Sequence, residues 1–334
     1  RRNYIASAID QLFAGGTEDQ NVGGSAYERT RLGYYGRFQY NFKEKYLAEF
    51  IFRNDGSYIF PEAGRFGFFP GVLLGWNISN EEWFNSKTIN YLKLRASYGE
   101  MGNDQVFYNG ALQEYAFLST FGFGEYPIDG AVATTLNETV LANPNFTWEV
   151  ARNTNIGLDA RLFDRLSLTF EYFKNKRDQI LIQQTGSTPQ SSGISSLLPP
   201  TNLGELHNSG YEFSLALDGG DVNYSNPGAL RYTIGVNGGY AKNEVIFMDE
   251  PAGAPEHQLQ EGKPLNAHLV YQTDGVFFDE ADVNANTLDY SGVTGQLLPG
   301  DLKIRDYDGN GVIDADDQVR LDQNNIPKFQ YGIT

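Results

Sequence analysis

Along much of this chain, side chains alternate between apolar and polar in segments about ten residues long, and a period of two belongs to a strand with two unlike faces. In "GRFQYNF", Phe38, Tyr40 and Phe42 alternate with Arg37, Gln39 and Asn41. "YLKLRASYG" sets Leu92, Leu94, Ala96 and Tyr98 against Lys93, Arg95 and Ser97. The same alternation runs through "TNIGLDARLF", "SLTFEYF", "GYEFSLAL" and "LRYTIGVNGGY". Reading these segments as strands predicts about ten, near 3–13, 30–41, 46–56, 66–77, 90–100, 147–162, 166–183, 206–217, 229–243 and 327–334.

Composition agrees with strands and removes several function classes. The 21 Tyr and 23 Phe are residue types that favour a pleated, half-buried surface. With no cysteine, the 334 residues can form no disulfide, thiolate metal site or catalytic thiol. The three histidines, His207, His257 and His268, are scattered, so no pair of imidazoles shares a metal-binding spacing. A formal charge of −17 leaves no broad basic surface for a nucleic-acid partner. No apolar run is long enough for a membrane helix. No charged leader followed by an apolar stretch marks a signal peptide.

Two architectures produce strands of this kind. In a soluble sandwich the apolar faces meet each other, whereas in a transmembrane barrel they meet lipid and the polar faces line a wet lumen. The segments have the length that a tilted strand needs to cross a bilayer. Connections alternate between short, at 41–45, 163–165 and 218–228, and long, at 56–65, 99–147, 184–205 and 243–327. Aromatic residues gather at segment ends, as in "GRFGFFPG" and "EYFKN", where a girdle would sit at the headgroups. These three features favour the barrel. The chain opens at "RRNYIASAIDQ" and stops at "KFQYGIT", both in mid-strand, so an incomplete arc of a larger barrel is expected.

"YNFKEKYLAEFIFRNDGSYIFPEAGRFGFFPGVLLGWNISNEEWF" at 40–84 and "INYLKLRASYGEMGN" at 89–103 resemble the barrel signature of SusC/RagA-like TonB-dependent outer-membrane transporters. So do "NPNFTWEVARNTNIGLDARLFDRLSLTFEYFKNKRDQIL" at 143–181, "LGELHNSGYEFSL" at 203–215 and "PGDLKIRDYDGNGVIDADDQ" at 299–318. Departures are Val312, where the family usually has Asp, and Lys303-Ile304, where Lys-Tyr is common. The resemblance implies an all-β, multi-pass antiparallel barrel of twenty-two strands in the outer membrane of a Gram-negative bacterium. Residues 1–334 would be part of that one barrel domain, with long extracellular loops near 99–147, 184–205 and 243–327 and with plug and signal peptide outside the chain. It further implies a SusD-like surface lipoprotein as partner, energy from the TonB complex, and import of glycans or peptides without catalysis.

Individual motifs carry separate readings. Asp306, Asp308, Asn310, Val312, Asp314 and Asp317 stand at positions 1, 3, 5, 7, 9 and 12 of a calcium loop, with Gly311 at the sharp turn. An Asx-rich acidic turn that holds no ion fits the same string, and Asp rather than Glu at the last position weakens the coordination expected. Charges on the polar faces, among them Arg37, Glu49, Arg53, Lys93, Arg95, Asp159, Arg161, Glu171 and Glu212, are expected to form ion pairs lining the barrel. Tyr108, Tyr115, Phe121, Tyr126, Tyr271 and Phe277 are loop aromatics that could stack on a sugar or peptide ligand, or pack the loops themselves. Glu81-Glu82 and Asp316-Asp317 are sequence neighbours, which cannot flank a substrate as a glycosidase dyad does. The competing function, from a different class, is a soluble or surface-anchored calcium-stabilised β-rich adhesion or carbohydrate-binding module.

Overall fold

The computed structural model describes residues 26–108, 110–128, 131–184, 186–195, 197–220 and 228–334. The strand expected near 3–13 and most of the turn near 218–228 lie outside the described residues. The first strands are β1 (Arg31–Phe42), β2 (Tyr46–Ser57), β3 (Phe66–Asn77) and β4 (Ile89–Asn103). Two small hairpins follow, β5 (Phe107–Tyr108) with β6 (Ala111–Leu112) and β7 (Thr120–Ile128) with β8 (Ala131–Val140). Then come β9 (Glu149–Leu162), β10 (Leu166–Ile182), β11 (Thr201–Gly220) and β12 (Arg231–Phe247). A long connection holds β13 (Leu269–Tyr271), β14 (Thr273–Val276), the short helix α1 (Glu280–Asn284), β15 (Leu302–Ile304) and β16 (Gln318–Arg320) before β17 (Phe329–Ile333).

Nine of these strands form one antiparallel sheet in the order β1-β2-β3-β4-β9-β10-β11-β12-β17. Every neighbour in it is the next strand of the wall along the chain, so the sheet is an up-and-down meander that leaves β1 and β17 as edges among the described residues. Two of its hairpins close through pairs of non-glycine residues in the left-handed region, Lys43 and Glu44 (φ 52° and 56°) and Phe163 and Asp164 (φ 55° and 52°). That geometry is the turn whose twist matches the strands it joins. Local bonds hold it: the Glu44 amide donates to Asn41 Oδ1 at 2.9 Å, and the Asp164 amide to Asn90 Oδ1 at 2.8 Å. A third connection at this end, 78–88, was not among the expected short turns. It is organised by Glu81, which accepts from Tyr46 Oη at 2.6 Å, Trp76 Nε1 at 3.0 Å and Lys45 Nζ at 3.2 Å.

At the other end the loops are longer and carry structure of their own. The stretch expected as one loop near 99–147 contains the β7–β8 hairpin, because "FGFGEYP" alternates aromatic residues with glycine rather than with polar groups. β11 starts at Thr201, before the expected 206, since pairing resumes beyond an irregularity with Ile180↔Gly204 and Leu181↔Asn202.

The apolar face of the sheet is not covered. Phe38 is 66% exposed, Leu74 54% and Ile156 55%, so no second sheet packs on this face among the described residues. The described residues thus form a single-layer wall, unlike a sandwich, in which these side chains would be the core. Burial occurs instead at the long-loop end, where Ile59, Phe60, Phe69, Val106, Phe146, Trp148, Val150 and Leu181 form one cluster. Phe60 stacks at a tilt on Trp148, centroids 4.9 Å apart, and on Phe146 at 5.2 Å. A second cluster, Phe277, Tyr290, Ile304 and Ile313, is the core of the 248–328 connection.

Truncating the fully buried Phe60 to Ala should cost about 3–5 kcal/mol of local stability. Limited proteolysis of the full-length protein should then show faster cleavage within 104–148, with the barrel strands still protected. Unchanged loop cleavage would mean that this cluster does not hold the loops.

Candidate functional site

Because directly paired residues of an antiparallel sheet point to the same side, the register assigns every side chain to a face. On one face, Arg37 pairs its guanidinium with both oxygens of Glu49 at 2.9 and 2.8 Å, and Gln39 donates to the same carboxylate at 2.6 Å. Arg53 sits on Asp55 at 2.9 Å. Further along the same face, Arg95 bridges β9 and β10 by donating to Asp159 at 2.7 Å and to Glu171 at 2.6 Å. Asn155 and Thr169 donate to the remaining lone pairs of Glu171 and Asp159. Of the polar-face charges expected from alternation, Arg37 with Glu49, Arg53, and Arg95 with Asp159 and Glu171 are ion-paired, and Arg161 approaches Asp218 at 3.8 Å; Lys93 and Glu212 take no part in these pairs, and Arg95 is the hub of the largest group. Carboxylates held this way are acceptors of fixed partners, which leaves none of them placed as an acid/base pair.

The opposite face changes character along its length. Leu74, Leu94, Leu158, Leu168, Leu215 and Val236 give way towards the long-loop end to Tyr98, Tyr172, Tyr211 and Tyr240, with Tyr211 and Tyr240 stacked at 5.7 Å. Above those rings the same face becomes ionic, with Glu100–Arg152 at 3.5 Å, Arg152–Asp178 and Lys176–Glu205 at 2.9 Å, and His207 Nε2 lies at hydrogen-bond distance from Glu205, 3.0 Å. Sequence reasoning missed this collar. The strict alternation of "FKNKRDQ" and "ELHN" carries it, once strands are extended beyond their apolar stretch.

Of the loop aromatics, Tyr115 is spent on packing: it donates to the Glu28 carbonyl at 2.7 Å and lies against Tyr58 and Phe117. Phe277 is 3% exposed and packs edge-on against Tyr290, so it belongs to the loop core and offers no face to a ligand. Tyr271 packs partly buried on that same cluster. Phe121 and Tyr126 are exposed on β7, on opposite sides of the hairpin by their spacing. Tyr108 lies in β5, and its side chain is outside the described residues.

The acidic loop folds as an interlocked turn. Asp306 accepts from the Gly309 and Gly311 amides at 2.7 and 2.9 Å, and Asp317, fully buried, from Tyr307 and Asp314 at 2.6 and 2.9 Å. The amide of Gly311, then that of Gly309, holds the Asp306 carboxyl below the usual carboxylate range. Asp306, Asp308 and Asp317 bring one oxygen each within 4.8 Å of one another. Asn310 Oδ1 instead accepts from Val312, Asp314 Oδ1 accepts from Asp316, and Val312 bridges to Asp289. His257 and Gln258 tie the turn to the 251–262 segment through the Asp316 and Ala315 carbonyls. Nearby, the Arg305 guanidinium depresses the Asp274 carboxyl and the Lys303 ammonium that of Asp282.

Against the description "TonB dependent receptor-like, beta-barrel", residues 3–329 match as one continuous unit. The chain belongs to that family. It is 30% identical over 99% of its length to TonB-dependent receptor P3 of Formosa agariphila, and 28% identical over 57% of its length to TonB-dependent receptor SusC of Bacteroides thetaiotaomicron. In fold it resembles the RagAB peptide importer in its open-open state, with TM-score 0.67 over 98% of the chain at 20% identity. The chain spans 33% of receptor P3 and 34% of that RagAB chain, about a third of the length of each. Family membership assigns the faces: the sheet is part of an outer-membrane barrel wall, the aromatic and leucine face meets lipid, and the Arg95 face lines the lumen. These relatives are receptors, not enzymes.

Removing the hub should expose the cost of the network. Arg95→Met leaves Asp159 and Glu171 facing each other, and the loss should be about 1–3 kcal/mol, moderated by their partial exposure. Adding Glu171→Gln to Arg95→Met should recover part of it. A thermal-unfolding double-mutant cycle in detergent on Arg95→Met and Glu171→Gln measures both, and strictly additive losses would show that Arg95 and Glu171 are not coupled.

Proposed function

We propose that the full-length protein is an energised outer-membrane importer of nutrient oligomers, oligosaccharides or peptides, that works with a SusD-like surface lipoprotein and draws on the TonB complex. The observation that carries this reading is the barrel wall itself, matched over 3–329 to the TonB-dependent receptor family and built with an uncovered apolar face and an ion-paired polar one. Kinship to SusC and likeness to the RagAB importer support the choice of large nutrients over small ions. The β7–β8 hairpin supports a surface partner, because Phe121, Phe123 and Leu136 project from it more than half exposed. Fractionation of cells carrying the full-length protein should place it in the outer membrane, extractable only with detergent, together with a co-purifying lipoprotein. Recovery as a soluble protein without a partner would favour the adhesion or carbohydrate-binding module.

For the acidic loop we propose a structural Ca2+ site on Asp306, Asp308 and Asp317. Three carboxylate oxygens on a turn already closed by Gly309 and Gly311 suit a hard cation. A bound ion would brace the 248–328 connection and take no part in chemistry. Calorimetric titration of the chelator-treated full-length protein with calcium should show one site, and Asp306→Ala should abolish it. Absence of heat with the unaltered protein would remove the proposal.

A further inference from the structure

Four consecutive strands of the wall place an asparagine at the same height on the lumen face. Asn153 of β9 is directly opposite Asn175 of β10, Asn175 opposite Asn208 of β11, and Asn208 opposite Asn243 of β12. All four are half-buried. Asn243 Oδ1 accepts from the Leu265 amide at 2.7 Å, and among the described residues the carboxamides of Asn153, Asn175 and Asn208 bond to nothing. Asn175, Asn208 and Asn243 line a cavity of about 350 Å³, roofed by Pro264, Leu265 and the 324–328 segment of the long connection. One row below lies Phe173, whose ring rests across Gly210: a Cβ there would come within 2.8 Å of Phe173 Cζ, so only glycine lets the ring lie against the sheet.

We infer that this asparagine row, with Phe173, is a subsite for a neutral oligosaccharide. The inference rests on the importer reading and names its substrate class. Each carboxamide offers two donors and an acceptor, the complement of a sugar hydroxyl pair, and carries no charge. The row itself carries no charge with which to clamp a carboxylate, and of the two cations at the cavity Arg177 is paired with Glu149 at 3.3 Å while Lys328 is turned to the Asp322 carbonyl at 2.6 Å. An aromatic ring beside polar amides is the pairing that a pyranose needs, with one apolar face and a rim of hydroxyls. Spacing separates the two candidate polymers. The amides step across the sheet by about 4.8 Å, whereas the same-side groups of an extended peptide repeat only every two residues, about 6.6 Å. A peptide therefore loses register after one step, while a hexopyranose chain advances one ring for roughly each strand crossed.

The test uses the purified full-length protein with whatever lipoprotein accompanies it, and two probes: a set of neutral linear hexose oligosaccharides and a random-sequence oligopeptide pool. Calorimetry should show oligosaccharide binding that Asn175→Ala with Asn208→Ala weakens by about tenfold or more, and that Phe173→Leu also weakens. Heat-modifiable gel mobility checks that the variants fold, and Asn208→Thr, a better strand former, serves if the alanine pair does not. Three results would overturn the inference: no oligosaccharide binding by the unaltered protein, oligosaccharide binding indifferent to the variants, or peptide binding that the same variants weaken. Uptake assays in cells separate this from the parent reading. TonB-dependent uptake of peptides alone leaves the importer standing and removes the subsite, whereas uptake of neither probe by cells with soluble protein removes the importer itself.

Discussion

Continuous cross-strand hydrogen bonding is the constraint on which this wall depends. One face of the sheet meets hydrocarbon, where a backbone amide or carbonyl without a partner finds no water to replace it. Each strand must therefore pair with the next where it crosses the membrane, and between β1 and β12 every neighbouring pair is hydrogen-bonded, most briefly β3 with β4, from Gly71↔Gly99 to Asn77↔Lys93. Pairing also settles what each side chain does. A slip of one residue would turn Arg95, Asp159 and Glu171 towards lipid and Leu94, Leu158 and Phe170 into the lumen. Register, ion pairs and apolar band are thus one decision, enforced from both sides of the sheet.

Beyond the membrane the rules change, and the loops behave as small soluble proteins. Phe60, Phe146 and Trp148 bury each other where the strands end, and Phe277, Tyr290 and Ile313 do the same inside the 248–328 connection. Charges finish the work. Glu114 accepts from Arg29 at 2.7 Å and from the Tyr58 hydroxyl, and those donors hold its carboxyl below the usual range. Such cores let long connections present defined surfaces above the lumen rather than fluctuating chain.

Much of this was legible in the alternation. The expected segment 66–77 is β3, and 46–56 falls one residue short of β2, because a strand with unlike faces writes its period directly into the chain. The polar-face charges were legible for the same reason. Phe277 was not: an aromatic in a loop reads alike whether it faces a ligand or a local core, and only the partners Tyr290 and Ile304, distant in sequence, decide between them. The β7–β8 hairpin escaped because glycine took the place of the polar residue in its pattern. The asparagine row shows a different limit. "ARNTN", "FKNKR", "LHNSG" and "AKNEV" each display their asparagine openly, yet nothing local says that the four will stand level.

The change from tyrosines to ion pairs on the lipid-facing side determines how high the barrel rides. If the wall slid towards its short-turn end, Arg152, Lys176 and Asp178 would enter hydrocarbon, at a cost of about 2–4 kcal/mol for each basic side chain reaching mid-membrane. If it slid the other way, Phe170, Tyr211 and Tyr240 would leave the depth that suits their rings. The girdle and the collar beside it thus act as a pair of stops, one on each side of the depth at which the wall is most stable.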